Sequence, residues 1–126
     1  VKAMRPVMIA VLPLAILPAV ALLARTDHAS VKVPLQSERV LLENDKVRVL
    51  EYASKPSGGV CGVDRHSHPA HVTIVLEAAR DRATTEGGKA EVADLNVGDV
   101  FWSEAETHTD VNIGKTDSRL IVVEIK

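Results

Sequence analysis

Residues Gly62–Ala78 read GVDRHSHPAHVTIVLEA, and this stretch decides how the chain folds. Its second half, His71–Ala78, is rich in β-branched residues and too short for an ordinary helix, so it is expected to be a strand. Its first half sets His66 and His68 two residues apart, with Pro69 and then His71 following. On an extended chain, residues i and i+2 point to the same side. Both imidazoles can then reach a single ion at the ~2.0–2.1 Å of a metal–nitrogen bond. A His-x-His pair alone is common in loops, where Pro69 would only set a turn. The surrounding pattern must decide between a metal site and a solvated loop.

Outward from this stretch the chain reads as short strands. Arg39–Asn44 is apolar and ends at the turn signal Asn44-Asp45. In KVRVLEYA, Val47, Val49 and Glu51 face one way and Arg48, Leu50 and Tyr52 the other. A loop at 55–59 precedes VCGV, Val60–Val63, read as a short strand with Cys61 a buried thiol in it. RDRATT and AEVADL flank the hairpin turn Glu86-Gly87-Gly88-Lys89, with Arg80 and Arg82 facing solvent. Asn96–Asp99 is a further turn, followed by VFWS, HTDVNI and the terminal RLIVVEI. Phe101 and Trp102 point to opposite faces; one is expected in the core and the other at a pocket or dimer contact. No segment after residue 30 sustains a helical period, and strands roughly ten residues apart indicate a sandwich or barrel.

Composition narrows the partners. Of the 15 Lys and Arg, Lys2, Arg5 and Arg25 lie in residues 1–25, which hold none of the 17 acids. The remaining 12 bases against 17 acids leave a net charge of −5 from Thr26 onward. That balance argues against nucleic acid and against an anionic membrane surface. Tyr52, Phe101 and Trp102 are the only aromatics of their type, too few for a base-stacking platform. Cys61 is the only cysteine, so no disulfide within the chain and no cysteine-cluster zinc site is expected. A transition-metal site is expected to rest on His, Asp and Glu.

Residues 1–25 combine a basic start, an apolar run from Pro6 to Ala24 and the small-x-small pattern Ala19-Val20-Ala21. This is the layout of a secretory signal peptide; an uncleaved membrane anchor is the rival reading. Either places the rest of the protein outside the cytoplasm, in the periplasm or the extracellular space, and allows membrane contact only through an uncleaved leader. Residues 26–37 read as a linker or arm, in which His28 is expected to be solvated, and residues 38–126 as one barrel domain. A domain of about 90 residues has a modest core, which makes a homodimer physically sensible.

In order and spacing, Gly62, the His66–His68 pair, the β-branched strand, the hairpin, Gly98-Asp99, His108 and Asn112 resemble the two motifs of the cupin family. The resemblance covers roughly Glu43 to Ile125. It implies an all-β fold, the double-stranded β-helix or jelly-roll barrel, with a metal near the barrel axis held by His66, His68 and His108. The family's first motif also carries a glutamate, which would fall near Val72 or Thr73 here, and neither is a carboxylate. The glycine that follows falls near Ala78-Ala79, and Glu104 and Glu106 replace the second motif's proline and glycine. The resemblance therefore implies a three-histidine site. His71 is the candidate fourth ligand, although strand parity turns it away unless Pro69 breaks the alternation. Its other readings are a general acid or base near the metal, or a solvated rim residue. Tyr52 is either core or a hydroxyl reaching the cavity, which makes it the second catalytic candidate. Asp64 and Glu106 are weaker carboxylate donors, and Asn112 is expected to bond backbone near His108.

Three readings of function follow. One is a metal-dependent enzyme on a small organic substrate. Iron would suit dioxygenase-type chemistry, and zinc, manganese or nickel isomerase, lyase or hydrolytic chemistry. The second is a non-catalytic protein that binds a metal or small ligand. The third is a metal-free dimeric barrel in which the histidines are remnants. The cofactor of the first two is one divalent transition metal: iron, manganese, zinc or nickel.

Overall fold

The computed structural model describes residues 37–126. The leader or anchor at 1–25, the arm up to residue 36 and His28 lie outside the described residues. Nine strands occur in chain order: β1 (Ser37–Glu43), β2 (Val47–Ser54), β3 (His66–His68), β4 (His71–Glu77), β5 (Ala79–Thr85), β6 (Ala90–Leu95), β7 (Val100–Ser103), β8 (Glu106–Asn112) and β9 (Ser118–Ile125). Among the described residues there is no helix.

Strands β1-β2-β9-β4-β7 form one sheet and β3-β8-β5-β6 the other, with every pairing antiparallel. The turns follow from local chemistry. Asn44 Oδ1 accepts the amides of Lys46 and Val47, which closes the β1–β2 hairpin. Gly87, at φ 72°, supplies the left-handed residue between β5 and β6.

Alternation along each strand then sets what lies between the sheets. Leu50 and Tyr52 on β2, Val75 on β4, and Leu120 and Val122 on β9 bury together with Val60 and Cys61. This core is small. Buried polar side chains are as numerous as apolar ones and include His68, His71, Thr73, His108, Asp110, Asn112 and Glu124. An interior this polar must satisfy each group internally, so its hydrogen bonds mark where a site lies. Glu51 is also buried; Arg39 Nη2 at 2.7 Å and Arg119 Nη1 at 3.8 Å cover its carboxylate.

Three local expectations change. Val60–Val63 is a run of bends rather than a strand, because Gly59 precedes it, Gly62 lies within it, and the Val60 and Cys61 amides bond a side chain instead of a neighbouring strand. Phe101 and Trp102 are both exposed, at 39% and 52%. They lie on β7, an edge strand with β4 on one side only, and Trp102 Nε1 donates to Glu104 at 2.8 Å. His71 is buried alongside Thr73 and Val75, because Pro69 and Ala70 end β3 and restart the alternation on β4 in the other sheet.

Candidate metal centre

The histidines converge through register. β3 pairs with β8 so that His66 lies directly opposite His108, and His68 is two residues from His66 on the same face. The imidazole centroids of His66 and His108 are 4.6 Å apart, those of His66 and His68 4.9 Å, and those of His68 and His108 5.5 Å. Cys61 joins them from the 59–62 turn, and one donor atom from each of Cys61, His66, His68 and His108 lies within 4.8 Å of the others. The group that could hold an ion therefore includes the thiol, beside the His, Asp and Glu donors expected from the composition. A cysteine in a glycine-flanked turn carries no strand parity, so its direction could not be read from the pattern.

The outer nitrogens fix how each ring is presented. His66 Nδ1 donates to the carbonyl oxygen of Asp64 at 3.0 Å, and His68 Nδ1 donates to Glu124 Oε1 at 2.8 Å. His108 Nδ1 lies 3.2 Å from Glu106 Oε1. Burial holds His108 below its ordinary pKa, with His66 and His68 acting the same way and Asp110 and Glu106 opposing them. A neutral ring protonated on Nδ1 presents a bare Nε2 lone pair inward.

Two such atoms, His66 Nε2 and His108 Nε2, face each other at 2.9 Å, a contact that needs a proton or a cation between them. The third, His68 Nε2, is buried and has no hydrogen-bond partner. Three converging lone pairs with one orphaned in the interior fit a metal ion. Two nitrogens bound at ~2.0–2.1 Å stand about 2.8–3.4 Å apart for bond angles between a right angle and the tetrahedral one.

Charged neighbours complete the surroundings. Asp110, two residues beyond His108, accepts the amides of Val60 and Cys61 at 2.9 Å each and the Cys61 thiol at 2.7 Å. Burial and the Asp110 carboxylate push the Cys61 thiol well up. Gly62 makes room for His66: a Cβ there would meet the imidazole at 2.7 Å. Glu124, on the buried parity of β9, orients His68 as a carboxylate commonly orients a metal-bound histidine. Glu124→Gln keeps the shape and removes the charge. Its zinc affinity should fall about 10–100-fold in competition with a chromophoric chelator, and an unchanged affinity would remove Glu124 from the site.

The other candidates separate. His71 is buried with its ring 5.1 Å from that of His68, its Nδ1 donates to the carbonyl of Pro69 at 2.8 Å, and it stands outside the donor group. Tyr52 is core and meets the His68 ring edge-on at 6.2 Å; burial pushes its phenol pKa up. Asp64 contributes its backbone carbonyl, and Glu106 contacts the outer nitrogen of His108. Asn112 bonds backbone in the 114–116 loop, donating to Thr116 and accepting from Gly114, rather than near His108.

Asp81 on β5 leaves Oδ1 buried without a partner. Burial, and then the Asp110 charge, pushes its carboxyl from the ordinary 3.8 up to about 6, opposed by a hydrogen bond from the Val111 backbone. The folded protein therefore keeps a proton that the unfolded chain has already lost, and this contribution falls as pH rises from 3.8 to about 6. In metal-free protein, Asp81→Asn should gain urea stability relative to wild type as pH climbs through that window. A difference that stays constant with pH would contradict this account.

A cavity of about 500 Å³ is lined by Glu38, Tyr52, Gly58, Gly62, Asp64 and Asp110 among others, and by none of the three ring donors. A smaller one of about 250 Å³, with Arg65, Thr85, Glu86 and Thr107 in its wall, reaches His108.

Two antiparallel sheets closed around a histidine cluster define a small double-stranded β-helix protein. A conserved protein with a double-stranded β-helix domain from Klebsiella pneumoniae superposes at a TM-score of 0.57, with 19% identity, over 72% of this chain and 76% of that one. A cupin domain from Bordetella pertussis Tohama I gives 0.64 at 24% identity, over 75% of this chain and 97% of that one. A cupin-2 domain protein from Shewanella frigidimarina gives 0.52 at 15% identity, over 75% and 84%. The chain has the fold of the cupin superfamily. No family model and no curated protein matches the sequence.

Proposed function

We propose that this protein is an exported metal-binding cupin that holds one transition-metal ion on His66, His68 and His108. The observation that carries the reading is His68: its Nδ1 is committed to Glu124, and its Nε2 is buried with nothing to bond. An ion supplies that partner and relieves the 2.9 Å approach of His66 Nε2 and His108 Nε2. Export rests on the basic start and apolar run of residues 1–25.

A second reading is a metal-dependent enzyme on a small organic substrate, favoured by the Cys61 thiol hydrogen-bonded to Asp110 at 2.7 Å. With the thiol kept there, the three imidazoles leave coordination positions open. A bound ion of this kind supplies Lewis acidity or, as iron, redox chemistry. In that case the Glu124, Glu106 and Asp64 contacts hold the rings in place, and the cavity reaching His108 admits the substrate.

Equilibrium dialysis of the whole chain against zinc, nickel, manganese and ferrous iron tests the centre. One ion per chain, retained against a competing chelator, supports it; no retention of any of the four ions overturns it.

A further inference from the structure

We infer that Cys61 is the fourth ligand of this centre, bound as a thiolate, so that one sulfur and three imidazole nitrogens close a tetrahedron around an ion of the zinc class. The inference rests on the three-histidine reading and goes further, assigning the fourth position, the coordination number and the metal class. It stands on two independent observations. The first is donor geometry. Cys61 Sγ lies 3.6 Å from His66 Nε2 and 3.4 Å from His108 Nε2. A tetrahedral ion with metal–sulfur bonds of ~2.3 Å and metal–nitrogen bonds of ~2.0–2.1 Å sets sulfur and nitrogen about 3.5–3.6 Å apart. The second is His68 Nε2, an unpartnered nitrogen on a side chain only 4% exposed, within 4.8 Å of the same sulfur.

The turn is built to deliver the sulfur. The Val60 and Cys61 amides are both tied to Asp110, which follows His108 by two residues on the inward face of β8. The strand that brings in one imidazole thus also fixes the loop that carries the thiol. The family pattern lacks its carboxylate on β4, where Val72 and Thr73 stand, and the thiol reaches the ion from the preceding turn instead. Replacing a hard oxygen donor by sulfur shifts preference from manganese and ferrous iron towards zinc. On binding, a sulfur–metal bond forms and the S–H bond breaks. The proton now shared with Asp110 leaves to solvent, together with the one held between His66 Nε2 and His108 Nε2 in the metal-free protein, with no change of oxidation state.

Cobalt(II) is the probe, since its spectrum reports both geometry and sulfur ligation. The whole chain, with its thiol reduced, is titrated with cobalt and then with zinc. A thiolate-to-cobalt charge-transfer band in the near ultraviolet, strong visible bands of a tetrahedral ion, and bleaching of both by zinc support the inference. Cys61→Ser should still take up cobalt through the histidines without the charge-transfer band. Its zinc affinity should fall by at least about 100-fold, the upper end of what losing an outer-shell contact costs. The unmodified chain decides the matter even if that variant fails to fold. Cobalt uptake with weak visible bands and no charge-transfer band overturns the Cys61 assignment and leaves the three-histidine centre standing. No uptake at all overturns both.

Discussion

Replacing His68 by alanine abolishes stoichiometric metal uptake while the barrel still folds. His68 is the hub of the cluster: its ring lies within 5.5 Å, centroid to centroid, of those of His66, His71 and His108. Alanine removes the donor whose Nε2 is orphaned without an ion, and it also releases Glu124, left with Arg48 Nη1 3.9 Å away. Affinity should fall at least about 100-fold, since even loss of an outer-shell contact costs up to that much. Stability of the metal-free chain should drop by about 1–3 kcal/mol, because a buried carboxylate loses its hydrogen bond. Dialysis against a competing chelator reads the first effect and urea unfolding the second. Unchanged stoichiometry in a folded variant would show that the ion, if bound, sits elsewhere.

Gly59→Ala gives the second large effect, and it acts through backbone alone. A Cβ at Gly59 would stand 1.6 Å from the carbonyl oxygen of Gly62 and 2.8 Å from its carbonyl carbon. Neither atom can swing aside as a side chain would, so the 59–62 turn must open. Opening it strips Asp110 of two amides and removes Cys61 from the interior. Leaving a buried carboxylate short of two donors costs about 1–3 kcal/mol for each. The expected result is a fall in the urea midpoint together with a thiol that reacts readily with Ellman's reagent, where the wild-type thiol is slow. A variant with wild-type stability and a silent thiol would mean that the turn accommodates the methyl in a way this packing does not allow.

Much of the fold was legible because strand alternation and turn chemistry are local. His71–Glu77, the Gly87 hairpin and the Asn96–Asp99 turn all follow from composition and period. The convergence of His66, His68 and His108 was legible from i, i+2 parity plus the spacing that lets β8 return beside β3. Cys61 was not, because a turn between two glycines has no period from which to read a direction. The burial of His71 turns on Pro69, which resets the alternation between strands of different sheets, and parity alone does not show whether it does so. Glu124 carries its signal in the strand period. It shares the inward parity of Leu120 and Val122, and a carboxylate there must be partnered. Phe101 and Trp102 are both exposed where one of the two is expected in the core, because hydrophobicity says nothing about whether a strand is an edge.

The short β3 has a consequence for how the protein behaves as a whole. It holds three residues, has β8 as its one neighbour in the sheet and carries two of the four candidate donors, while the others come from β8 and the 59–62 turn. An ion bound there clasps a loosely held edge to the rest of the molecule. By mass action, each tenfold rise in free ion above the dissociation constant adds ~1.4 kcal/mol to the folded state. The melting temperature of this barrel should therefore track the logarithm of the ion's free concentration, making the fold itself a gauge of metal supply.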